Sequence, residues 1–129
     1  MKQWFPYVEL LSCSEDDPIT AINDAARVCY RSDIPEDEGS RKQFVLNLIR
    51  RGHETPLEFV TFKFMVITDR GTSHELVRHR LASFQQQSTR YVTWDRGEIP
   101  FIRPIGMEKD GDAYRIWEKS CKRCEQDYF

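Results

Sequence analysis

Residues 78–91 read Arg78-His79-Arg80-Leu81-Ala82-Ser83-Phe84-Gln85-Gln86-Gln87-Ser88-Thr89-Arg90-Tyr91. The part from Ser83 to Tyr91 is polar and carries no hydrophobic period, so irregular chain is expected there. Consecutive Arg78, His79 and Arg80 cannot share one helix face. Their donors must fan towards different acceptors or different subunits. Ser88 and Arg90 lie two apart and point the same way if the backbone is extended. A hydroxyl beside a guanidinium suits a phosphate. Glutamine amides add donors and acceptors able to read a planar base or a flavin ring. The residues by themselves point to a phosphorylated, nucleotide-like ligand.

Flanking charge sharpens this. From Arg70 to Arg103 there are six arginines, no lysine, and only Glu75, Asp95 and Glu98 as acids. Arginine without lysine favours planar, bidentate recognition of phosphate or carboxylate. The plainer alternative is a solvated helix face followed by a loop. A general nucleic-acid coat is excluded by the net charge of -2. The same charge and the missing lysines disfavour a basic-patch RNA or DNA binder. Just upstream, His74-Glu75-Leu76-Val77-Arg78-His79 resembles the zinc-protease motif H-E-x-x-H but is one residue too long. Five residues apart at about 100° each, the two imidazoles stand roughly 140° apart on a regular helix and cannot chelate one ion. No metal site is expected.

With 129 residues the chain is expected to be a single domain spanning 1–129. Eight Phe, five Tyr and three Trp supply core material that a disordered chain lacks. No apolar run approaches the ~20 residues of a membrane-spanning helix, and Met1 to Pro6 lacks the marks of a signal peptide. A cytoplasmic location is expected, with no membrane partner. Cys13, Cys29, Cys121 and Cys124 do not suggest a disulfide framework. Cys121 and Cys124 have C-x-x-C spacing but no second pair, and are read as buried small hydrophobes.

Local signals predict the elements. Val8 to Ser12 can be a strand. Asp17-Pro18 reads as an N-cap and first-turn proline before a helix with Ile19, Ile22, Ala26 and Cys29 on its apolar face. A loop covers Arg31 to Gly39. A second helix, Ser40 to Arg51, places Phe44, Val45, Leu48 and Ile49 on one side and stops at Gly52. His53-Glu54-Thr55-Pro56 connects it to a strand within Leu57 to Thr68, whose Val60, Phe62, Phe64 and Val66 form the face to be buried. Asp69-Arg70-Gly71 turns the chain, and Thr72 or Ser73 caps a helix through His74 to about Ala82. Pro100 and Pro104 mark a loop. The last helix, from Asp112, carries Tyr114, Trp117, Cys121, Cys124 and Tyr128 on one seam.

The segment at 78–91 resembles the signature of the flavin-dependent thymidylate synthases, the ThyX family: Arg-His-Arg, seven residues, Ser, then Arg-Tyr. Arg78, His79, Arg80, Ser88, Arg90 and Tyr91 match in register. Gly52-His53-Glu54-Thr55-Pro56 followed by Glu58 is similar to a second family motif, at the family's separation from the first. The likeness extends from the helix holding Ala25-Ala26-Arg27-Val28 onwards. It implies an α+β fold, an antiparallel or mixed sheet packed with helices, of which this chain is the N-terminal portion. It also implies methylation of dUMP to dTMP, with methylenetetrahydrofolate as carbon donor and NADPH as reductant through bound FAD. Hydride comes from reduced flavin, so no cysteine nucleophile is needed. A homotetramer with shared active sites is implied, in which fanned Arg-His-Arg donors can serve different chains.

Position by position, the resemblance puts His53, Thr55, Arg78, His79, Arg80 and Gln86 on FAD. Glu75, Arg78, Gln86, Gln87, Ser88, Thr89 and Arg90 frame dUMP, with Ser88 and Arg90 near its phosphate. Ser88 is taken as a binding residue rather than a nucleophile, and no catalytic residue is assigned. The chain departs from the family at Glu75, where glutamine or arginine is common, and at Cys29, where serine is. Gln85-Gln86-Gln87 also lacks the family's glutamate. Family members are longer, and their second half supplies further FAD contacts and an arginine that favours ionisation of the uracil ring. The rival reading is a non-catalytic FAD- or nucleotide-binding module derived from the family.

Overall fold

The computed structural model describes residues 1–94 and 99–129. Asp95, Arg96 and Glu98, which entered the charge reading, lie outside the described residues. The chain forms two compact units, Glu9–Met65 and Met1–Val8 with Val66–Phe129. Its class is α+β, as the resemblance implies, with two two-stranded sheets and four α-helices among the described residues.

In the unit Glu9–Met65, α1 (Pro18–Arg27) starts where Asp17-Pro18 predicts. The Asp17 carboxylate accepts from Thr20 N at 3.1 Å and from Thr20 Oγ1 at 2.6 Å. The helix is shorter than its apolar stripe. Cys29 falls in a 3-10 turn, Val28–Tyr30, and is exposed rather than on the helix face. Arg31 closes that turn: it adopts a left-handed φ of 48°, and its N–H returns to Val28 O at 3.4 Å. α2 (Glu38–Arg50) begins two residues before the expected Ser40, because Asp37 is the cap and accepts from Ser40 N at 2.7 Å. Gly52 ends it with φ +69°, a conformation that costs glycine no Cβ clash.

Ile22, Val45 and Val60 make the core of this unit, wrapped by Ile19, Leu48 and Leu57. Asn23, fully buried, ties the two helices together. Its Nδ2 donates to Ile19 O at 2.9 Å on its own helix and to Arg41 O at 3.3 Å on α2. Asn23→Ala should therefore cost about 1–2 kcal/mol, the net worth of such bonds. The check is urea unfolding followed by far-UV circular dichroism; an unchanged midpoint at unchanged slope would show the tie to be worthless.

β2 (Tyr7–Cys13) pairs with β3 (Phe62–Ile67). The strand expected from Leu57 starts later, since Thr55–Phe59 is a 3-10 turn with Pro56 in its first turn. The expected burial of one face also needs correction. Val60 is buried, but Phe62 and Phe64 are 48% and 54% exposed and Val66 39%. α1 packs on α2 and on the 3-10 turn, which covers Val60 and leaves the later alternate positions open.

In the other unit, β1 (Lys2–Trp4) runs parallel to β4 (Pro100–Ile102), pairing Lys2 with Pro100, Gln3 with Phe101 and Trp4 with Ile102. Pro100 thus opens a strand instead of marking a loop. Its missing N–H does no harm there, because the ladder bonds run from Lys2 N to Ile99 O (3.2 Å) and Arg103 N to Trp4 O (2.9 Å). α3 (Arg70–Leu76) is capped by Asp69, not Thr72 or Ser73; the carboxylate accepts from Thr72 N at 3.0 Å. It ends at Leu76, short of Ala82, and residues 77–82 turn. α4 (Asp112–Tyr128) buries Tyr114 and Cys121 and half-buries Trp117. Burial pushes the Cys121 thiol up. Cys124 is exposed, so only one of the C-x-x-C pair is a buried hydrophobe. Among the described residues no helix is long and apolar enough to cross a membrane.

Three caps share an electrostatic signature. Asp17, Asp37 and Asp69 are each held below the ordinary carboxylate value, chiefly by hydrogen bonds from Thr20, Ser40 and Thr72 respectively. A depressed folded-state pKa means stability that is present above the unfolded value, here 3.8, and lost as pH falls through the folded one. The melting temperature should therefore fall steeply below about pH 4. In the triple Asp17→Asn, Asp37→Asn, Asp69→Asn chain, which keeps cap acceptors that do not titrate, that acid slope should flatten. An identical acid slope in both proteins would contradict the assignment.

Candidate functional site

The unit that holds residues 66–129 contains an open cavity of about 660 Å³. The sequence builds its walls from three sources. Gln86, Gln87, Ser88 and Thr89 come from the polar segment that no periodicity draws into a helix or strand. Asp69, Arg70 and Ser73 come from α3 and its cap. Trp4, Trp94 and Phe101 add aromatic surface from β1, the loop and β4. A planar ring can lie against such aromatics while amides and hydroxyls reach its edge.

Side-chain bonds fix part of this wall. Gln86 Nε2 donates to Ser73 Oγ at 2.7 Å, and Ser73 Oγ donates to Arg70 O at 3.1 Å. Asp69 is committed to its cap: the bonds from Thr72 N and from Thr72 Oγ1 (2.7 Å) hold it below the usual carboxylate range. It is a weak proton acceptor, poorly suited to act as a general base.

The backbone at Ser88 departs from the extended form on which the pairing with Arg90 rested. Residues 88–92 turn, with Tyr91 N and Val92 N both donating to Ser88 O (3.4 and 3.1 Å). Ser88 Oγ accepts from Arg90 N at 3.2 Å. That hydroxyl has no hydrogen bond with a basic side chain among the described residues, so nothing there activates it as a nucleophile.

Of the residues expected at the site, Gln86, Gln87, Ser88 and Thr89 are gathered on the cavity. Glu75, Arg78, His79, Arg80 and Arg90 are exposed and are not among its lining residues. Arg90 lies over the Tyr91 ring with its guanidinium 5.9 Å from the centroid. His53 and Thr55 belong to the other unit and are exposed, His53 after α2 and Thr55 opening the 3-10 turn. Arg70, Ser73 and the three aromatics are cavity residues that sequence reasoning missed. Only Arg70 left a signal, as the first arginine of the lysine-free run; the aromatics are scattered along the chain with no spacing to betray them.

His74 lies in α3 and His79 beyond its end, so the two do not share a helix at all. For flavin, the relevant observation is the donor set. The Arg78, His79 and Arg80 side chains make no hydrogen bond or ion pair among the described residues, leaving two guanidinium forks and an imidazole for the diphosphate and ring acceptors of a flavin dinucleotide. The residues present fit such a group.

Comparison with known proteins points to the same family. Residues 9–129 match the family model described as thymidylate synthase complementing protein. The chain is 33% identical over 119 residues to the flavin-dependent thymidylate synthase of Clostridium tetani, covering 87% of this chain and 47% of that one. To the enzyme of the same name from Geobacter sulfurreducens it is 34% identical over 120 residues, 87% of this chain and 51% of that one. It also resembles the UMP/dUMP methylase PolB of Streptomyces cacaoi, solved with 5-Br dUMP. The TM-score there is 0.71 at 26% identity, over 98% of this chain and 59% of PolB. The chain spans about half the length of the curated relatives it matches. With the family match running from residue 9 to residue 129, the chain belongs to the family of the flavin-dependent thymidylate synthases.

Proposed function

We propose that this chain acts in flavin-dependent methylation of dUMP to dTMP, with FAD as the flavin, methylenetetrahydrofolate as carbon donor and NADPH as reductant, in a cytoplasmic homotetramer. The observation that carries the reading is the cavity in which Gln86, Gln87, Ser88 and Thr89 meet the aromatic surfaces of Trp4, Trp94 and Phe101. The flavin, when bound, supplies the hydride chemistry. The chain's own residues bind and orient. Gln86 and Gln87 read the pyrimidine edge, and Gln86 also borders FAD. Ser88, Thr89 and Arg90 take the phosphate, while Arg78 reaches both ligands. Glu75 borders the nucleotide, and His53, Thr55, His79 and Arg80 hold FAD. None of these steps asks for a protein nucleophile, which agrees with the unactivated Ser88 hydroxyl.

A non-catalytic flavin- and nucleotide-binding module is the second reading, favoured by the half-length match to the relatives. Gel filtration of the protein loaded with FAD tests what the readings share: a flavin spectrum should travel with the protein, and colourless protein would sink both. Formation of dTMP from dUMP, methylenetetrahydrofolate and NADPH then separates them. Retained flavin without product leaves the module.

A further inference from the structure

Gln86 faces the cavity with its amide already committed in one direction. A serine hydroxyl has a single proton, and Ser73 spends it on the carbonyl of Arg70, 3.1 Å away within α3. Towards Gln86 the Ser73 oxygen can therefore only accept, and the Gln86 Nε2 donor lies 2.7 Å from it. Turning the amide over would place Oε1 against a hydroxyl oxygen with no proton to give, unless Ser73 abandoned Arg70. So Gln86 has its nitrogen tied to α3, and among the described residues Oε1 has no hydrogen-bond partner, standing beside one remaining N–H. Both side chains line the same cavity.

We propose that Ser73 is a positioning residue which, by fixing the Gln86 amide, makes the cavity select uracil over cytosine. This rests on the nucleotide reading above. Uracil carries a donor at N3 flanked by carbonyl acceptors, and an amide presenting Oε1 with an adjacent N–H is complementary to that edge. Cytosine carries an acceptor at N3 and a donor amino group at C4. Against cytosine the fixed Oε1 meets a lone pair, and the pairing is restored only by the flipped amide that Ser73 opposes. Gln86 is exposed in the ligand-free chain; a base seated against its amide excludes water there, and the reversed edge then leaves donor and acceptor unmatched. Ser73 touches no base itself; it acts through Gln86.

The experiment compares dUMP and dCMP binding to the 129-residue chain by titration calorimetry, beside the side-chain amide resonances of Gln86 in ligand-free protein. Ser73 is on the surface of a short helix, and alanine is a good helix former, so Ser73→Ala should fold. It should lower the dUMP:dCMP affinity ratio about threefold to tenfold, the span of one neutral hydrogen bond, and release the hydrogen-bonded Gln86 amide proton. Ser73→Thr should restore both. In a Gln86→Ala background, Ser73→Ala should change the ratio no further. An unchanged ratio, unaltered Gln86 resonances, or a loss that simply adds to that of Gln86→Ala would each overturn the proposal while leaving dUMP binding intact. A wild-type chain that binds neither nucleotide overturns the nucleotide reading and the selection together.

Discussion

Tyr114→Ala should remove about 3–5 kcal/mol from the stability of the unit that contains the cavity, the usual range for deleting a buried aromatic side chain. Tyr114 is 6% exposed and opens the seam of α4. Its ring sits 5.7 Å from that of Trp117, centroid to centroid. Its hydroxyl accepts from Gln3 Nε2 on β1 and donates to Glu118 Oε1 at 3.3 Å. One residue thus joins the helix to the parallel strand pair. Truncation opens a cavity and leaves Gln3 without its partner. All three tryptophans, Trp4, Trp94 and Trp117, lie in this unit and none in the other, so tryptophan fluorescence during urea unfolding reports on it selectively. Tyr114→Phe should lose only the hydroxyl's share, about 1 kcal/mol. A midpoint shift in Tyr114→Ala no larger than in Tyr114→Phe would mean the ring is not a packing element.

Tyr114 also shows which parts of the fold are legible from sequence. Helices announce themselves through period and caps: Asp17-Pro18 begins α1 where expected, Gly52 ends α2, and the α4 seam from Tyr114 to Cys121 is buried. These signals are local, carried by residues within one or two turns of each other. What failed depended on partners far along the chain. Nothing near Pro100 says that Lys2–Trp4 will pair with it, and a proline read alone signals a loop. The alternation at Phe62, Phe64 and Val66 correctly marks a strand, but burial needs a covering layer that alternation cannot specify. Asp69 caps α3 although Thr72 and Ser73, three and four residues on, carry the same capping chemistry. The site behaves likewise. Polar residues contiguous in sequence, Gln86 to Thr89, arrive together on the cavity, whereas Ser73 and Trp4 join them only through the fold.

Arg90→Ala should weaken dUMP binding by about 1.5–3 kcal/mol, the scale of a hydrogen bond to a charged group, more than tenfold in affinity, while FAD stays bound. In the proposed function Arg90 takes the phosphate, two residues from Ser88. In this chain its guanidinium is outside the cavity wall and over Tyr91 at 5.9 Å, a distance at which an exposed cation–π contact contributes at most about 1 kcal/mol. An exposed arginine changes rotamer within nanoseconds, so recruiting it to a ligand costs little against the charge-assisted bond gained. Arg70 is the competing candidate, since it lines the cavity already. Both variants should therefore be titrated with dUMP and with deoxyuridine, which lacks the phosphate. A phosphate ligand loses affinity for dUMP alone, and loses nothing against the nucleoside. If Arg70→Ala shows that pattern and Arg90→Ala binds like the unaltered chain, the phosphate belongs to α3 and the role given to Arg90 is wrong.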